Sequence, residues 1–180
     1  MKTVKVEITG QTPLLMNNPK SMIDSAKSSV RQTTKKYDLD EDAERLAYKK
    51  KSGELYVPSA AIKGTIVNAA SYKKIGKYAA KPIIAGGVFI MEEELGLKTK
   101  KYNLDIRTVV IQKARVVKAR PKVDKWKLAF ELRYNEKMIG DSLIIKDILD
   151  EAGERVGILD FRPQKLGSFG MFKVTKWQEK

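Results

Sequence analysis

The clearest pattern in the chain is an alternation of large apolar residues with small or charged ones from Lys125 to Tyr134. Its apolar members are Trp126, Leu128, Phe130, Leu132 and Tyr134, and its charged members are Lys125, Lys127, Glu131 and Arg133. Successive side chains of a β-strand point to opposite faces, so a period of two predicts a strand that is buried on one side only. Such strands are typical of antiparallel sheets that leave one face open to solvent.

Other periodic segments extend this strand into an α+β pattern. The further predicted strands are Thr3–Thr9, Leu55–Val57, Ile83–Ile84 with Val88–Ile90, Thr108–Arg120 and Phe169–Trp177. Predicted helices run from about Ala60 to Tyr72 after the N-cap Ser59, and from Asp141 or Ser142 to Gly153. Hairpin-linked strands between two helices, with a strand at each end, indicate a ferredoxin-like or RRM-like βαββαβ fold. Both helices would cover one face of the antiparallel sheet.

A polar segment, Lys20–Ser52, interrupts the pattern after the first strand. It is rich in Ser, Thr, Lys and Asp, and only Asp40–Lys51 has the spacing of a helix. Segments that bury little apolar surface stay flexible. We therefore expect one domain, residues 1–180, with a mobile insert at 20–52 that closes over a bound strand or contacts a neighbouring copy.

The formal charge of +14 favours a polyanion or an anionic membrane surface as partner. The membrane alternative is the weaker, because no run approaches the roughly 18 apolar residues of a spanning helix. Met1–Lys5 alternates like a strand and lacks the apolar core of a signal peptide. We expect a soluble cytoplasmic protein with no membrane partner.

Histidine and cysteine are both absent from the sequence. Their absence excludes the usual zinc sites, a thiol nucleophile and an imidazole base. Any catalysis would have to use carboxylates, lysine, tyrosine, serine or a carboxylate-bound metal. The expectation is a protein without a catalytic residue, metal or cofactor.

Positive charge is concentrated between Lys98 and Lys127, where eleven Lys and Arg residues oppose only Asp105 and Asp124. Thr108–Arg120 is β-branched and strand-like, and Pro121–Asp124 has turn residues. Together with the strand Lys125–Tyr134, this pattern predicts a long basic hairpin that turns at Pro121–Asp124.

The cations of the basic strand change phase at Val116–Val117, with two before it and three after it. A β-bulge at that point would bring five of them to one face, because an extra residue resets the alternation. The candidate phosphate contacts on the hairpin are Lys113, Arg115, Lys118, Arg120, Lys122 and Lys127. Charge contacts of this kind favour affinity without much sequence specificity. The alternative is an ordinary solvated strand with cations on both faces.

Aromatic side chains would supply base stacking to a single strand. Phe161, beside Arg162, lies among glycines near the C-terminus and is the preferred stacking candidate. Tyr37 and Tyr102 in lysine-rich loops are comparable candidates, whereas the apolar face of Lys125–Tyr134 is expected to be core.

Lys63 is a further candidate, because it lies in the first turn of a predicted helix. Helix N-termini favour anions, so its ammonium group could meet a backbone phosphate. The alternative is an exposed helix lysine without a specific role.

Leu55–Gly64, with the sequence Leu-Tyr-Val-Pro-Ser-Ala-Ala-Ile-Lys-Gly, resembles the strand-to-helix signature of the RAMP superfamily. These are ferredoxin-like proteins that include CRISPR backbone and processing subunits. Gly10–Leu15 is similar to their opening strand and apolar loop, and Gly157–Phe172 to their C-terminal glycine-rich segment. The chain also resembles small phage-encoded proteins, through Thr12–Met16, the basic strand and Asp160–Pro163.

The resemblance implies a backbone-type subunit that holds an extended RNA or DNA strand and polymerises along it. It argues against the processing nucleases of the superfamily, many of which use a histidine. Some backbone subunits cleave RNA with an aspartate after the first strand, and Asp24 lies in that region, as do Asp38 and Asp40. The acidic cluster that begins at Asp38 is otherwise explained as a helix N-terminus.

The sequence therefore predicts a non-catalytic, largely sequence-independent binder of single-stranded RNA or DNA that assembles as a homo-oligomer. Two alternatives stay open. One is a metal-dependent ribonuclease that uses aspartates of the insert. The other is a structural or interaction protein of a virus or mobile element, whose basic face meets an acidic partner.

Overall fold

The computed structural model describes residues 1–19, 38–111 and 113–180. Within these ranges the chain forms a mixed α/β fold with antiparallel sheets, as the sequence predicts. The strands are β1 (Lys2–Gly10), β2 (Leu14–Leu15), β3 (Tyr56–Pro58), β4 (Lys74–Ile75), β5 (Tyr78–Ala79), β6 (Val88–Ile90), β7 (Glu94–Gly96), β8 (Asn103–Ile111), β9 (Ala114–Val123), β10 (Lys127–Tyr134) and β11 (Phe172–Glu179). The helices are α1 (Leu39–Leu46), α2 (Ser59–Ala69), α3 (Ala80–Gly87), α4 (Glu136–Ile139) and α5 (Ser142–Glu151). No helix in the described ranges is long and apolar enough to cross a membrane.

A four-stranded sheet in the order β11-β1-β10-β6 is the centre of the fold. β1 lies between β10 and β11, antiparallel to both, with Val6 opposite Phe130 on one side and Trp177 on the other. The alternation that defines β1 and β10 in the sequence places Val4, Val6 and Ile8 of β1 in the core. Each fully buried aliphatic side chain of this kind contributes about 1.5–3 kcal/mol to folding.

Helices α2 and α5 pack over the apolar side of this sheet. They contribute Ile62, Ile66, Ile145, Ile148 and Leu149 to a core that also contains the apolar faces of β1 and β10. Asp141 caps α5 by accepting a hydrogen bond from the Leu143 N–H, as predicted. Because both helices share one core with one side of the sheet, the charged positions of β1 and β10 are left on the opposite side.

Ile83 and Ile84 belong to helix α3, so the strand predicted before Val88 is wrong. Ala80 and Ile84, four residues apart, are both buried, which is the spacing of a helix face. Pro82 lies in the first turn, where its missing N–H costs no hydrogen bond. Ile83 and Ile84 are adjacent β-branched residues close to two glycines, and this local pattern does not indicate a helix.

The basic hairpin is formed by β8 and β9, not by β9 and β10. The two strands pair from Asn103 opposite Lys122 to Ile111 opposite Ala114, and Lys113 in the turn has φ 68°. The predicted turn at Pro121–Asp124 is therefore wrong, because β9 continues to Val123 and pairs with β2 on its other edge. Pro121 fits there because its carbonyl accepts from the Met16 N–H at 2.9 Å and the strand needs no donor at that position.

The predicted β-bulge at Val116–Val117 is absent from the β8–β9 ladder. Val116 lies opposite Val109 and Val117 opposite Thr108, with no shift of register. Cross-strand pairs of β-branched residues pack well and stabilise the regular register. As a result Lys118, Arg120 and Lys122 share one face of β9, while Arg115 lies on the other.

The second part of the predicted insert folds onto the hairpin. Asp38 accepts from the N–H groups of Asp40 and Glu41 at 2.9 and 3.2 Å, so the acidic cluster is a helix N-terminus. Helix α1 buries Ala43 and Leu46 and packs against β9. Residues 20–37, which include Asp24 and Tyr37, lie outside the described ranges.

Close backbone approach explains the glycines of the C-terminal segment. A Cβ atom at Gly167 would lie 1.8 Å from the carbonyl oxygen of Phe161. Gly170 has φ +69°, and a Cβ there would lie 2.1 Å from the Ile158 oxygen. This segment folds back tightly on itself and so fixes the positions of Phe161 and Arg162.

Candidate nucleic-acid interface

Arg120 lies inside the protein and holds the hairpin to the C-terminal segment. Its Nη1 is 2.8 Å from Asp160 Oδ2, and its Nη2 is 3.3 Å from Asp105 Oδ2. Both the arginine and Asp105 are buried. The structure thus places this predicted phosphate contact in an internal ion pair, where a ligand does not reach it.

The other hairpin cations differ in their surroundings. Lys118 donates to Asn17 Oδ1 at 3.0 Å, and Lys122 pairs with Asp124 at 3.1 Å. Lys113 and Arg115 are exposed near the hairpin turn and have no ion pair in the described part of the chain. The structure therefore does not bring the predicted cations together on one surface.

Lys63 holds the C-terminal end of helix α3. Its ammonium group donates to the carbonyl oxygens of Ile84 and Ala85, both at 2.9 Å, and to that of Val88. Burial lowers the pKa of the Lys63 amine below its ordinary value. Cations near helix C-termini are favoured by the helix dipole. Lys63 of α2 therefore stabilises the C-terminal end of the neighbouring helix α3.

Phe161 belongs to an aromatic and arginine cluster beside the hairpin. Its ring centre is 5.9 Å from that of Phe169, and the Arg107 guanidinium is 5.4 and 5.1 Å from the two ring centres. Arg162 donates to the Leu159 carbonyl at 2.7 Å. Phe161 is half-buried in this cluster, and Arg107, which sequence reasoning did not select, lies over its ring.

A cleft of about 390 Å³ separates helix α2 from the C-terminal segment. Its walls include Gly64 and Asn68 of α2, Asp160 and Arg162 of the C-terminal segment, and Tyr48. A Cβ atom at Gly64 would meet nothing within 4 Å, so this glycine widens the cleft without being required by packing. Two of the three segments that resemble RAMP proteins, Leu55–Gly64 and Gly157–Phe172, therefore face each other across one polar cleft.

The side of the central sheet away from the core, here called the open face, carries a cluster of cations. Lys127 and Lys173 lie on either side of Thr9, Lys176 lies opposite Glu7, and Arg133 lies opposite Thr3. The exposed cations are Lys5, Lys127, Arg133, Lys173 and Lys176, against the carboxylates Glu7 and Glu131. None of these five cations forms a salt bridge within the described ranges.

The two open-face carboxylates only partly offset this charge. Glu131 accepts a hydrogen bond from Lys180, which together with the charges of Lys5 and Arg133 holds its pKa below the ordinary value. Glu131 therefore stays ionised at neutral pH, but a cation outside the cluster already neutralises it. The positive charges on the open face therefore outnumber the negative ones, and the electrostatic potential of this face is positive.

A groove of about 870 Å³ lies at one end of the open face. Residues 96–99 form one wall, and the ends of β1 and β10 form the floor. Lys98, Lys125 and Lys127 line it, with Glu7 and Asp124 as the acidic members. Hydrogen bonds from Lys122 and Asn103 lower the pKa of Asp124, so that carboxylate is already engaged on the hairpin side.

The only exposed aromatic side chain paired into the described part of the open face is Phe89. It lies opposite Arg133 on β6 and is 42% exposed. The sequence analysis did not select Phe89. Its position next to Val88 in a strand was the available indication, because successive side chains of a strand point to opposite faces. The aromatics of β10 are core, as expected.

Tyr102 is engaged within the protein. Its hydroxyl donates to Glu44 at 2.9 Å, and Lys49 lies 5.3 Å from its ring centre. Burial, with the bond to Glu44, raises the pKa of the phenol to about 12.

The described ranges contain no group of three or more carboxylates that could hold a metal ion. Asp24, the aspartate of the nuclease hypothesis, is outside them.

Comparison with known proteins supports the fold. No protein-family model and no curated protein matches the chain. Among solved structures, the cryo-EM structure of the type III-B Cmr-beta bound to cognate target RNA contains a similar chain, with a TM-score of 0.64 and 17% sequence identity. The match covers 99% of this chain and 60% of that chain. This likeness confirms the RAMP-like fold that the sequence motifs imply.

Proposed function

We propose that the protein binds single-stranded RNA or DNA across the open face, without cleaving it and with little sequence specificity. The observation that carries the proposal is the cluster of five exposed cations on one side of the central sheet, none of which forms a salt bridge in the described ranges, with Phe89 next to one of them, Arg133. An open sheet face with cations for phosphates and an aromatic ring for base stacking is a common way to hold an extended strand.

The choice of cations supports weak sequence specificity. Four of the five are lysines, whose ammonium groups act as point charges and do not read base edges with two parallel hydrogen bonds. Contacts of this type bind the phosphate backbone of any sequence. Lys98 and Lys125 extend the cationic surface into the groove, and Lys113 and Arg115 offer further contacts on the hairpin.

We also propose that the central sheet is the ferredoxin-like βαββαβ unit. Its four strands, taken along the chain, are β1, β6, β10 and β11, with α2 after the first and α5 after the third. Their spatial order, β11-β1-β10-β6, places the last strand beside the first and the third between the first and the second. The segment from β7 to β9 is then an insertion between the second and third strands.

The likeness to a chain of Cmr-beta, whose structure is bound to cognate target RNA, supports RNA as the ligand. Assembly of several copies along one strand is part of the proposal. The proposed location is the cytoplasm.

The test compares binding of matched single- and double-stranded RNA and DNA by gel shift, at two salt concentrations. The double variant Lys127→Ala/Lys173→Ala removes two open-face cations, and Lys74→Ala/Lys77→Ala removes two exposed lysines near the β4–β5 turn. We expect the first variant to lose about tenfold in affinity for single strands, since it loses two phosphate contacts, and the second to bind like wild type.

Equal losses in the two variants would show that net charge, not the open face, carries the binding. A folded wild-type protein that binds no oligonucleotide at low salt would favour an acidic protein as partner. Incubation with labelled RNA and magnesium tests the absence of catalysis. Cleavage that disappears in Asp24→Ala would replace the proposal with a nuclease.

A further inference from the structure

Strand β8 is a long edge strand with an exposed apolar surface. It ends the three-stranded sheet β2-β9-β8, so only β9 pairs with it in the described ranges. Ile106 is 50% exposed and Val110 is 69% exposed. An edge strand with open hydrogen-bonding groups and apolar side chains is a template for pairing with another strand.

The hydrogen bonds of β9 show which residues of β8 present their backbone to the open edge. The N–H of Ala119 donates to Asp42, and the carbonyl of Pro121 accepts from Met16, so both groups point away from β8. Pairs in an antiparallel ladder alternate between hydrogen-bonded and non-hydrogen-bonded. Their partners Ile106 and Leu104 therefore point their own N–H and C=O groups outward, as Thr108 and Val110 do by alternation.

The charge of β8 distinguishes it from the other long edge. The chain has 36 Lys and Arg residues, but Asn103–Ile111 contains only Arg107, balanced by Asp105, and no lysine. The edge strand β11 of the central sheet carries Lys173 and Lys176. Lysines and prolines on an edge normally prevent strand pairing, and β8 has neither. Its neutral edge fits another neutral strand without repulsion, and a second β8 is such a strand.

We propose that two copies of this chain pair through β8, antiparallel and about a two-fold axis at Thr108. In this register Ile106 of each copy lies opposite Val110 of the other, which covers both of these exposed apolar side chains. A register centred on Arg107 would place two like charges directly opposite each other. A register centred on Ile106 would leave Val110 uncovered. The paired copies form one continuous six-stranded sheet, in which β2, β9 and β8 of one copy are followed by β8, β9 and β2 of the other.

This pairing goes beyond the proposed function, because it needs no nucleic acid. A two-fold contact closes on itself and makes a dimer, whereas assembly along a strand needs a head-to-tail contact. The dimer would carry two open faces related by the two-fold axis. The gel shift tests nucleic-acid binding and sedimentation tests dimer formation, so either proposal can be contradicted while the other holds.

Sedimentation equilibrium of the full-length protein without nucleic acid is the first test. We expect a monomer–dimer equilibrium for wild type, and dimer dissociation constants raised at least about tenfold in Ile106→Lys and Val110→Lys, since each places a desolvated charge in the paired edge. Leu143→Lys, at a 54% exposed apolar position on α5, is the matched control and should dimerise like wild type. A monomeric wild type, or equal weakening by Leu143→Lys, would overturn the proposal.

The second test fixes the register, and it is simple because the chain has no cysteine. Thr108→Cys should be joined into a covalent dimer by a short bis-maleimide, because the two introduced thiols face each other across the axis. Ser71→Cys, exposed after helix α2, should stay monomeric under the same conditions. Crosslinking of Thr108→Cys no faster than of Ser71→Cys would overturn the proposed pairing.

Discussion

At the scale of single residues, Arg120 decides how the hairpin is attached. Its guanidinium satisfies Asp105 of β8 on one side and Asp160 of the C-terminal segment on the other. The planar fork of arginine suits two carboxylates at once, whereas the single ammonium of lysine does not. A residue that looks like one more surface cation in the sequence is therefore a structural link.

We expect Arg120→Ala to lower the free energy of unfolding by about 1.5–3 kcal/mol, because it removes the charged hydrogen bonds that join the hairpin to the C-terminal segment, while Asp105 keeps its ion pair with Arg107. Lys122→Ala, two residues away, removes only the surface pair with Asp124 and should cost less than about 1 kcal/mol. Chemical denaturation of both variants measures the difference. Similar costs for the two would mean that the Arg120 ion pairs add little to stability.

At the scale of elements, two glycines have opposite roles. Gly64 lies in the interior of α2 with free space where a Cβ would be, while Gly167 touches the Phe161 carbonyl. Helical glycine costs stability relative to alanine, because it has more conformational freedom to lose on folding. At Gly167, where the backbone of Phe161 lies close, alanine cannot replace glycine without a shift of the backbone.

Gly64→Ala should therefore raise the free energy of unfolding by about 0.5–1 kcal/mol. Gly167→Ala should lower it by more than about 1 kcal/mol, since the backbone must move to admit the new methyl group. Thermal unfolding followed by circular dichroism compares the two variants with wild type. A destabilised Gly64→Ala would mean that the cleft beside α2 is narrower than the structure shows.

Elements with strong local patterns were predictable, and their pairing partners were not. β1, β10 and α2 follow from periodicity, and α5 follows from periodicity and its Asp141 cap. The predicted N-cap Ser59 is wrong, because Pro58 occupies the N-cap position of α2 and no side chain caps it. The partner of β9 does not follow from the local pattern, because Pro121–Asp124 has the residues of a turn, whereas its strand partners, including Met16 and Leu104, are distant in the chain. Local sequence does not show which strand will occupy a given edge.

At the scale of the whole molecule, the charge of +14 is divided between structure and surface. Lys63 and Arg120 serve as internal partners, while the open-face cations form no salt bridge in the part of the chain that the structure describes. Of those five, sequence reasoning selected only Lys127, because cations on β1, β10 and β11 join one surface only after these distant strands pair. The candidate site is thus a product of topology more than of any local motif.

This distribution predicts how binding responds to salt. If all five open-face cations neutralise phosphates of a single strand, the slope of log affinity against log salt should be about −3.5. Lys127→Ala/Lys173→Ala should reduce the magnitude of that slope by about 1.4. Fluorescence anisotropy with a labelled oligonucleotide across a salt series measures both slopes. A variant slope equal to that of wild type would contradict phosphate contacts at these two lysines.

The position of β1 between β10 and β11 also sets the timing of folding during synthesis. β1 leaves the ribosome well before its partners, because Thr9 pairs with Lys127 and Lys173, both more than a hundred residues later. Closing such distant contacts is slow, because the loop entropy must be overcome first. The nascent chain must therefore carry β1 as an unpaired apolar strand until β10 and β11 have been synthesised, and a chaperone that shields β1 during this period would improve the yield.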